Sequence, residues 1–127
     1  MKEIIATNEA PGAIGPYSQA VKVRAGEMLF CSGQIPIVPE TGETIEGPPE
    51  LQAAQVMENL KAVIIAGGFT MADIVKTTIF LTDLSAFSGV NRVYESFFSG
   101  DFPARSTIQV SALPKGVSVE IEAIACK

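Results

Sequence analysis

The chain predicts an α+β fold: one mixed sheet of about six strands, with two helices packed on a single face. Three observations carry that expectation. Two segments, 51–66 and 85–98, repeat apolar residues at helical spacing. The other ordered segments are β-branched and alternate, at least in part, with a period of two. The resulting order is one strand, two strands, helix, strand, helix, two strands, and strands that return between helices argue for a shared sheet.

Lys2 to Ala6 reads as a short strand. Asn8 to Ser18 is a loop punctuated by Pro11, Gly12, Gly15 and Pro16. Tyr17 sits on that loop as an aromatic with a polar tip, suited to lining a pocket or to packing the loop down. Ala20 to Arg24 alternates, Ala25-Gly26-Glu27 turns, and Met28 to Ser32 returns, which together predict a hairpin. Gly33 to Pro36 ends that strand, so Ser32 and Gly33 fall where backbone donors can face a ligand. Val38 to Pro49 is a long loop, and with Glu40, Glu43, Glu46 and Glu50 in and beside it the segment reads as solvated.

Leu51 to Ala66 is the clearest helix. Pro48-Pro49-Glu50 suits its start, with an acid near the positive end of the helix dipole. Positions 53, 56, 57, 60, 63 and 64 form its apolar stripe. Gly67-Gly68 supplies the cap. Ile74 to Thr82 is a strand with Val75, Thr77, Ile79 and Leu81 on one side. Ser85 to Phe98 is the second helix, its stripe marked by Phe87, Val90, Tyr94 and Phe97. Pro103 to Val110 and Val117 to Ala123 flank the turn 112–116 and predict a second hairpin.

At 127 residues the whole chain, 1–127, is expected to be one domain. It is 47% hydrophobic and only 18% charged. Helices on one face also leave the other sheet face bare, so an oligomer is expected. The net charge is −5 and the lysines are scattered, which argues against a nucleic-acid surface built from a basic patch. There is no histidine, so Ser-His and Cys-His catalysis and His-ligated zinc are excluded. Cys31 and Cys126 show no metal-binding spacing and read as small buried hydrophobes in a reducing cytoplasm. The N-terminal apolar run is too short for a signal peptide, and no stretch is long enough to span a membrane.

The chain has three arginines, Arg24, Arg92 and Arg105, and only Arg105 follows a Pro-Ala turn at the start of an apolar strand. A buried guanidinium requires an anionic partner, and its planar fork suits a carboxylate. If the two C-terminal strands pair, Arg105 and Glu120 lie on neighbouring strands. That raises a site for a small carboxylate ligand; the competing reading is a plain cross-strand ion pair.

Several segments in order resemble the reactive intermediate deaminase A (RidA/YjgF) family. They are Gly15-Pro16-Tyr17-Ser18-Gln19-Ala20, Ser32-Gly33-Gln34-Ile35-Pro36, Gln55-Val56-Met57-Glu58-Asn59-Leu60, Lys76 to Asp83, Asn91-Arg92-Val93-Tyr94, and Pro103-Ala104-Arg105-Ser106 followed by Val119-Glu120-Ile121. The resemblance implies a chorismate-mutase-like subunit, a homotrimer with pockets between subunits, and hydrolysis of 2-imino acids to 2-oxo acids and ammonia without metal or cofactor. It implies that Arg105 grips the substrate carboxylate, that Glu120 positions or activates water, and that Tyr17 lines the pocket. Ser32, Gly33, Asn91 and Thr107 match substrate-binding positions. Many family members have Cys where this chain has Thr107. The alternatives are a trimeric module that binds 2-oxo acids without turnover, and an RNA-cleaving or translation-inhibiting role, which the acidic charge disfavours.

Overall fold

The computed structural model describes residues 2–24 and 26–127. Six strands form as expected, but they divide between two sheets. Strand β1 (Lys2–Ile5) pairs antiparallel with β2 (Ala20–Val23) in a separate two-stranded ribbon. The main sheet has four strands in the order β3 (Met28–Gln34), β6 (Val119–Cys126), β4 (Ile74–Leu81), β5 (Ala104–Gln109). It is mixed: β4 and β5 run parallel, whereas β6 is antiparallel to both its neighbours.

Both predicted hairpins are corrected. Among the described residues β2 pairs with β1, not with β3. Residue 25, in the expected turn, lies outside the described residues. The C-terminal pair is also split: β6 inserts between β3 and β4, and β5 lies on the far side of β4. The turn signals were sound, but β6 gains two ladders in the sheet centre where a hairpin would give one. Its alternate residues Val119, Ile121, Ala123 and Ala125 are buried, as a central strand with one covered face requires.

Helix α1 (Pro49–Ala66) has a proline at its first position and Glu50 in its first turn. Ala53, Val56, Met57, Leu60 and Ile64 are fully buried against the sheet. Val63 departs from the expected stripe and is 36% exposed. Gly68 ends the helix in the left-handed region, φ +84°, where its lack of a Cβ removes the steric cost. Helix α2 is shorter than predicted, Phe87–Glu95, because the segment before it (84–86) is a 3-10 turn capped by Asp83 through Ser85 N–H. Gly89 lets the helices approach closely: a Cβ there would overlap the Glu50 side chain of α1.

Both helices contribute to one core with Ile79, Leu81, Val119 and Ile121. The strand registers put Thr77 and Arg105 in one cross-strand row and Ile79 and Thr107 in the next, all on this helix-covered face. The opposite face carries a row of Glu120, Phe80 and Ile108 and another of Phe30 and Ile124. Phe30 there is 69% exposed. That face has no cover from the described residues of its own chain.

One polar contact ties α2 to the sheet. The Tyr94 hydroxyl and Thr77 Oγ1, both fully buried, lie 2.8 Å apart. Burial pushes the Tyr94 hydroxyl up to about 12, the Thr77 hydrogen bond and the Arg105 charge offsetting only part of that rise. The raised value means the neutral phenol stabilises the fold at ordinary pH. That stability is lost as pH climbs from the unfolded value near 10 through about 12. Denaturant unfolding across pH 9–12 should show this loss in the wild type. Tyr94→Phe should flatten it, and at neutral pH should cost about 1–3 kcal/mol by orphaning the Thr77 hydroxyl.

Candidate functional site

Arg105 is the second residue of β5, at the edge of the sheet and on the helix-covered side. Its guanidinium lies among three aromatic rings, 5.2 Å from the Tyr94 centroid and 5.6 Å from those of Tyr17 and Phe87. Cation–π attraction of this kind is worth about 0.5–2 kcal/mol per ring, more as water is excluded. Among the described residues its one hydrogen bond runs from Nη1 to Asn91 Oδ1, at 2.8 Å. A guanidinium has five donors, so most of the fork remains available to a ligand. Burial lowers the Arg105 pKa from its usual value, partly offset by the hydroxyls of Tyr94 and Tyr17. It nonetheless stays charged at physiological pH.

Local sequence explains each placement. Asn91 lies one turn after Phe87 on α2 and three residues before Tyr94, so one helix presents all three to Arg105. Tyr17 is brought in by its loop. Pro16 is buried, Ser18 Oγ donates to the Phe102 carbonyl, and Ser18 N–H donates to the Pro103 carbonyl at 3.1 Å. Gln19 holds the loop's other end. Its amide nitrogen donates to the Thr7 and Pro11 carbonyls at 3.1 and 2.6 Å, and its amide oxygen accepts from Thr7 N–H at 2.6 Å. Thr107 shares the Arg105 face, and its buried hydroxyl has no hydrogen-bond partner among the described residues.

Glu120 is elsewhere. It lies on the open face of β6, opposite Phe80 of β4. Its carboxylate rests directly on Gly33: a Cβ built there would overlap Glu120 Oε2. Ser32 and Gly33 occupy an irregularity where the β3–β6 register shifts between Cys31 and Gln34, the kind of bulge that re-aims side chains beside functional sites. Asn59 on α1 fixes the segment that follows, donating to the Ile35 and Ile37 carbonyls at 3.1 and 2.8 Å.

The expected residues therefore form two groups. Tyr17, Asn91, Arg105 and Thr107 gather at the β5 edge; Ser32, Gly33 and Glu120 gather toward the β3 edge. Arg105 and Glu120 are not on neighbouring strands, because β4 lies between them and they face opposite sides of the sheet. The same placement removes the cross-strand ion pair. Sequence reasoning missed Phe87 and Tyr94 as walls of the arginine cage and assigned both to the core. Their three-and-four spacing about Asn91 was the available signal. Among the described residues no group of three or more Cys, Asp or Glu could hold a metal ion, and no helix is long and apolar enough to cross a membrane.

Residues 7–127 match the model of a family described as Endoribonuclease L-PSP. Protein DfrA of Myxococcus xanthus is 56% identical over 124 residues, covering 98% of this chain and 95% of its own. The 2-iminobutanoate/2-iminopropanoate deaminase of Escherichia coli is 49% identical over 130 residues, covering 100% of this chain and 99% of its own. Among solved structures, Escherichia coli TdcF with bound serine superposes with a TM-score of 0.76 at 48% identity, covering 98% of each chain.

Gly33 tests the Glu120 placement on its own. Gly33→Ala should displace the carboxylate from its seat on the backbone while the core stays intact. A crystal structure of the variant should show a new Glu120 rotamer, with an unfolding midpoint shifted by less than that of Tyr94→Phe.

Proposed function

Since the chain belongs to the RidA/YjgF family, the family described as Endoribonuclease L-PSP, we propose that it hydrolyses 2-imino acids such as 2-iminobutanoate and 2-iminopropanoate to 2-oxo acids and ammonia. We place the reaction between subunits of a homotrimer, and the free buried thiols Cys31 and Cys126 suit a reducing cytoplasm. One observation carries this reading: a caged guanidinium with unused donors at one sheet edge, and a carboxylate seated on backbone toward the other. Neither half suffices alone, and a second copy brings them together.

The substrate carboxylate takes the free fork of Arg105, with the aromatic walls excluding water and strengthening the pair. Tyr17 and Phe87 flank the bound group. Glu120 of the neighbouring copy holds a water against the imine carbon and accepts its proton as the carbon–oxygen bond forms. Attack on the protonated imine gives a neutral carbinolamine; Glu120 returns its proton to the nitrogen and then takes the carbinolamine hydroxyl proton as the carbon–nitrogen bond breaks, so that ammonia leaves and a 2-oxo acid remains. The imine is already electrophilic, so positioning and one proton relay supply the catalysis. The chemistry calls on no metal or cofactor.

Non-catalytic capture of 2-oxo acids would use the same arginine, but it gives no task to a carboxylate beside an anion site. RNA cleavage, the activity in the family's description, lacks both a basic surface and a histidine here.

Arg105→Ala should weaken 2-oxobutanoate binding by roughly 2–5 kcal/mol in calorimetry. Arg105→Lys should recover only part of that, since an ammonium lacks the fork. Glu120→Gln should keep binding and lose turnover. Unchanged imine hydrolysis in Arg105→Ala ends the deaminase reading.

Subunit mixing tests the composite site. Arg105→Ala and Glu120→Gln, each inactive alone, should regain about one quarter of wild-type activity when refolded together in equal amounts. In a random ring, that fraction of interfaces unites an intact Arg105 with an intact Glu120. Absence of complementation would rule out a site shared between copies.

A further inference from the structure

The loop over Arg105 carries an isoleucine with no packing partner of its own. Ile14 is 95% exposed, the highest figure among the exposed large hydrophobic side chains. The loop is anchored at both ends, by the Gln19 clamp and by the Ser18 contacts to Phe102 and Pro103, so Ile14 is held out in a defined place. A Cβ at neighbouring Gly15 would lie 3.8 Å from Arg105 Nη2, which fixes Ile14 beside the arginine half-site. A side chain of that size left in water forgoes the stabilisation that burial would bring.

The other half-site carries a complementary hollow. A largely apolar pocket of about 360 Å³ lies between the end of β3 with the segment after it and the flank of α1; Gly33, Ile35, Ile37 and Val63 line it together with the polar side chains of Gln34 and Asn59. Its wall includes Gly33, the residue on which Glu120 rests. Val63, the position of α1 that leaves the predicted core stripe, opens onto this pocket. The pocket therefore stands to Glu120 as Ile14 stands to Arg105.

We infer that Ile14 of one copy inserts into the Gly33–Ile37–Val63 pocket of the next, and that this knob sets the register between the two half-sites. The inference rests on the composite-site reading and gives it a specific contact. Knob and hollow lie on different surfaces of the chain, so the contact is heterologous, and a closed ring satisfies every copy. Pairing Ile14 with this pocket buries the isolated knob and the apolar hollow in one step. It also draws Arg105 of one copy toward Glu120 of its neighbour.

Cysteine pairing reads the contact without any turnover. Ile14→Cys and Val63→Cys, mixed and mildly oxidised, should give a covalent dimer on a non-reducing gel, and the double variant should give larger covalent species. Neither single variant should cross-link alone; the native Cys31 and Cys126 are buried. In the assembled protein, Val63→Cys should resist a bulky maleimide. Ile14→Asp should sediment as smaller species at micromolar concentration. Absence of the mixed dimer, self-linking of Ile14→Cys, ready maleimide labelling, or unchanged sedimentation of Ile14→Asp would overturn the contact. Cross-linking of the variants together with no imine hydrolysis by the unsubstituted protein would keep the contact and remove the deaminase reading, so the two failures are distinct.

Discussion

The last strand enters the main sheet between β3 and β4, and that insertion decides what Arg105 and Glu120 can do. Strand β6 could have closed a hairpin on β5. By taking the centre it places β4 between the arginine and the glutamate. Alternation along the strands then turns the two side chains to opposite faces. No rotamer change crosses a packed sheet, so within one copy these groups remain apart.

Each half is built for its charge. Arg105 gives up much of its hydration, which burial alone would penalise. Three rings and the Asn91 carbonyl offset that cost while taking up a single donor, which leaves a held cation with most of its fork unused. Glu120 lies over a glycine in a bulged strand, where the backbone comes close because no Cβ intervenes. The hydrogen bonds from Asn59 to the chain after β3 hold this surface in shape. Tyr94 links core and site, since its ring faces Arg105 while its hydroxyl ties α2 to Thr77.

The sequence made the periodic elements legible because a buried stripe imposes spacing. Both helices and all six strands were readable, with errors of a few residues at their ends. Strand pairing was not readable. Turn chemistry at 112–116 suggested a hairpin, yet partner choice depends on which strand buries the most surface, and that is a property of the assembled sheet. The arginine was identified from its context, and the resemblance supplied its companions. Phe87 was hidden because an apolar residue at helical spacing reads as core, whereas in the fold it faces a guanidinium and is 39% exposed. Val63 was hidden for the same reason.

The central claim is that one ligand is held by two copies. A crystal structure of the assembled protein with 2-oxobutanoate tests it most directly. The account predicts the ligand carboxylate on Arg105 of one copy, between Tyr17 and Phe87, with its carbonyl carbon facing Glu120 of the next. A ligand bound entirely within one copy, or away from Arg105, would contradict it.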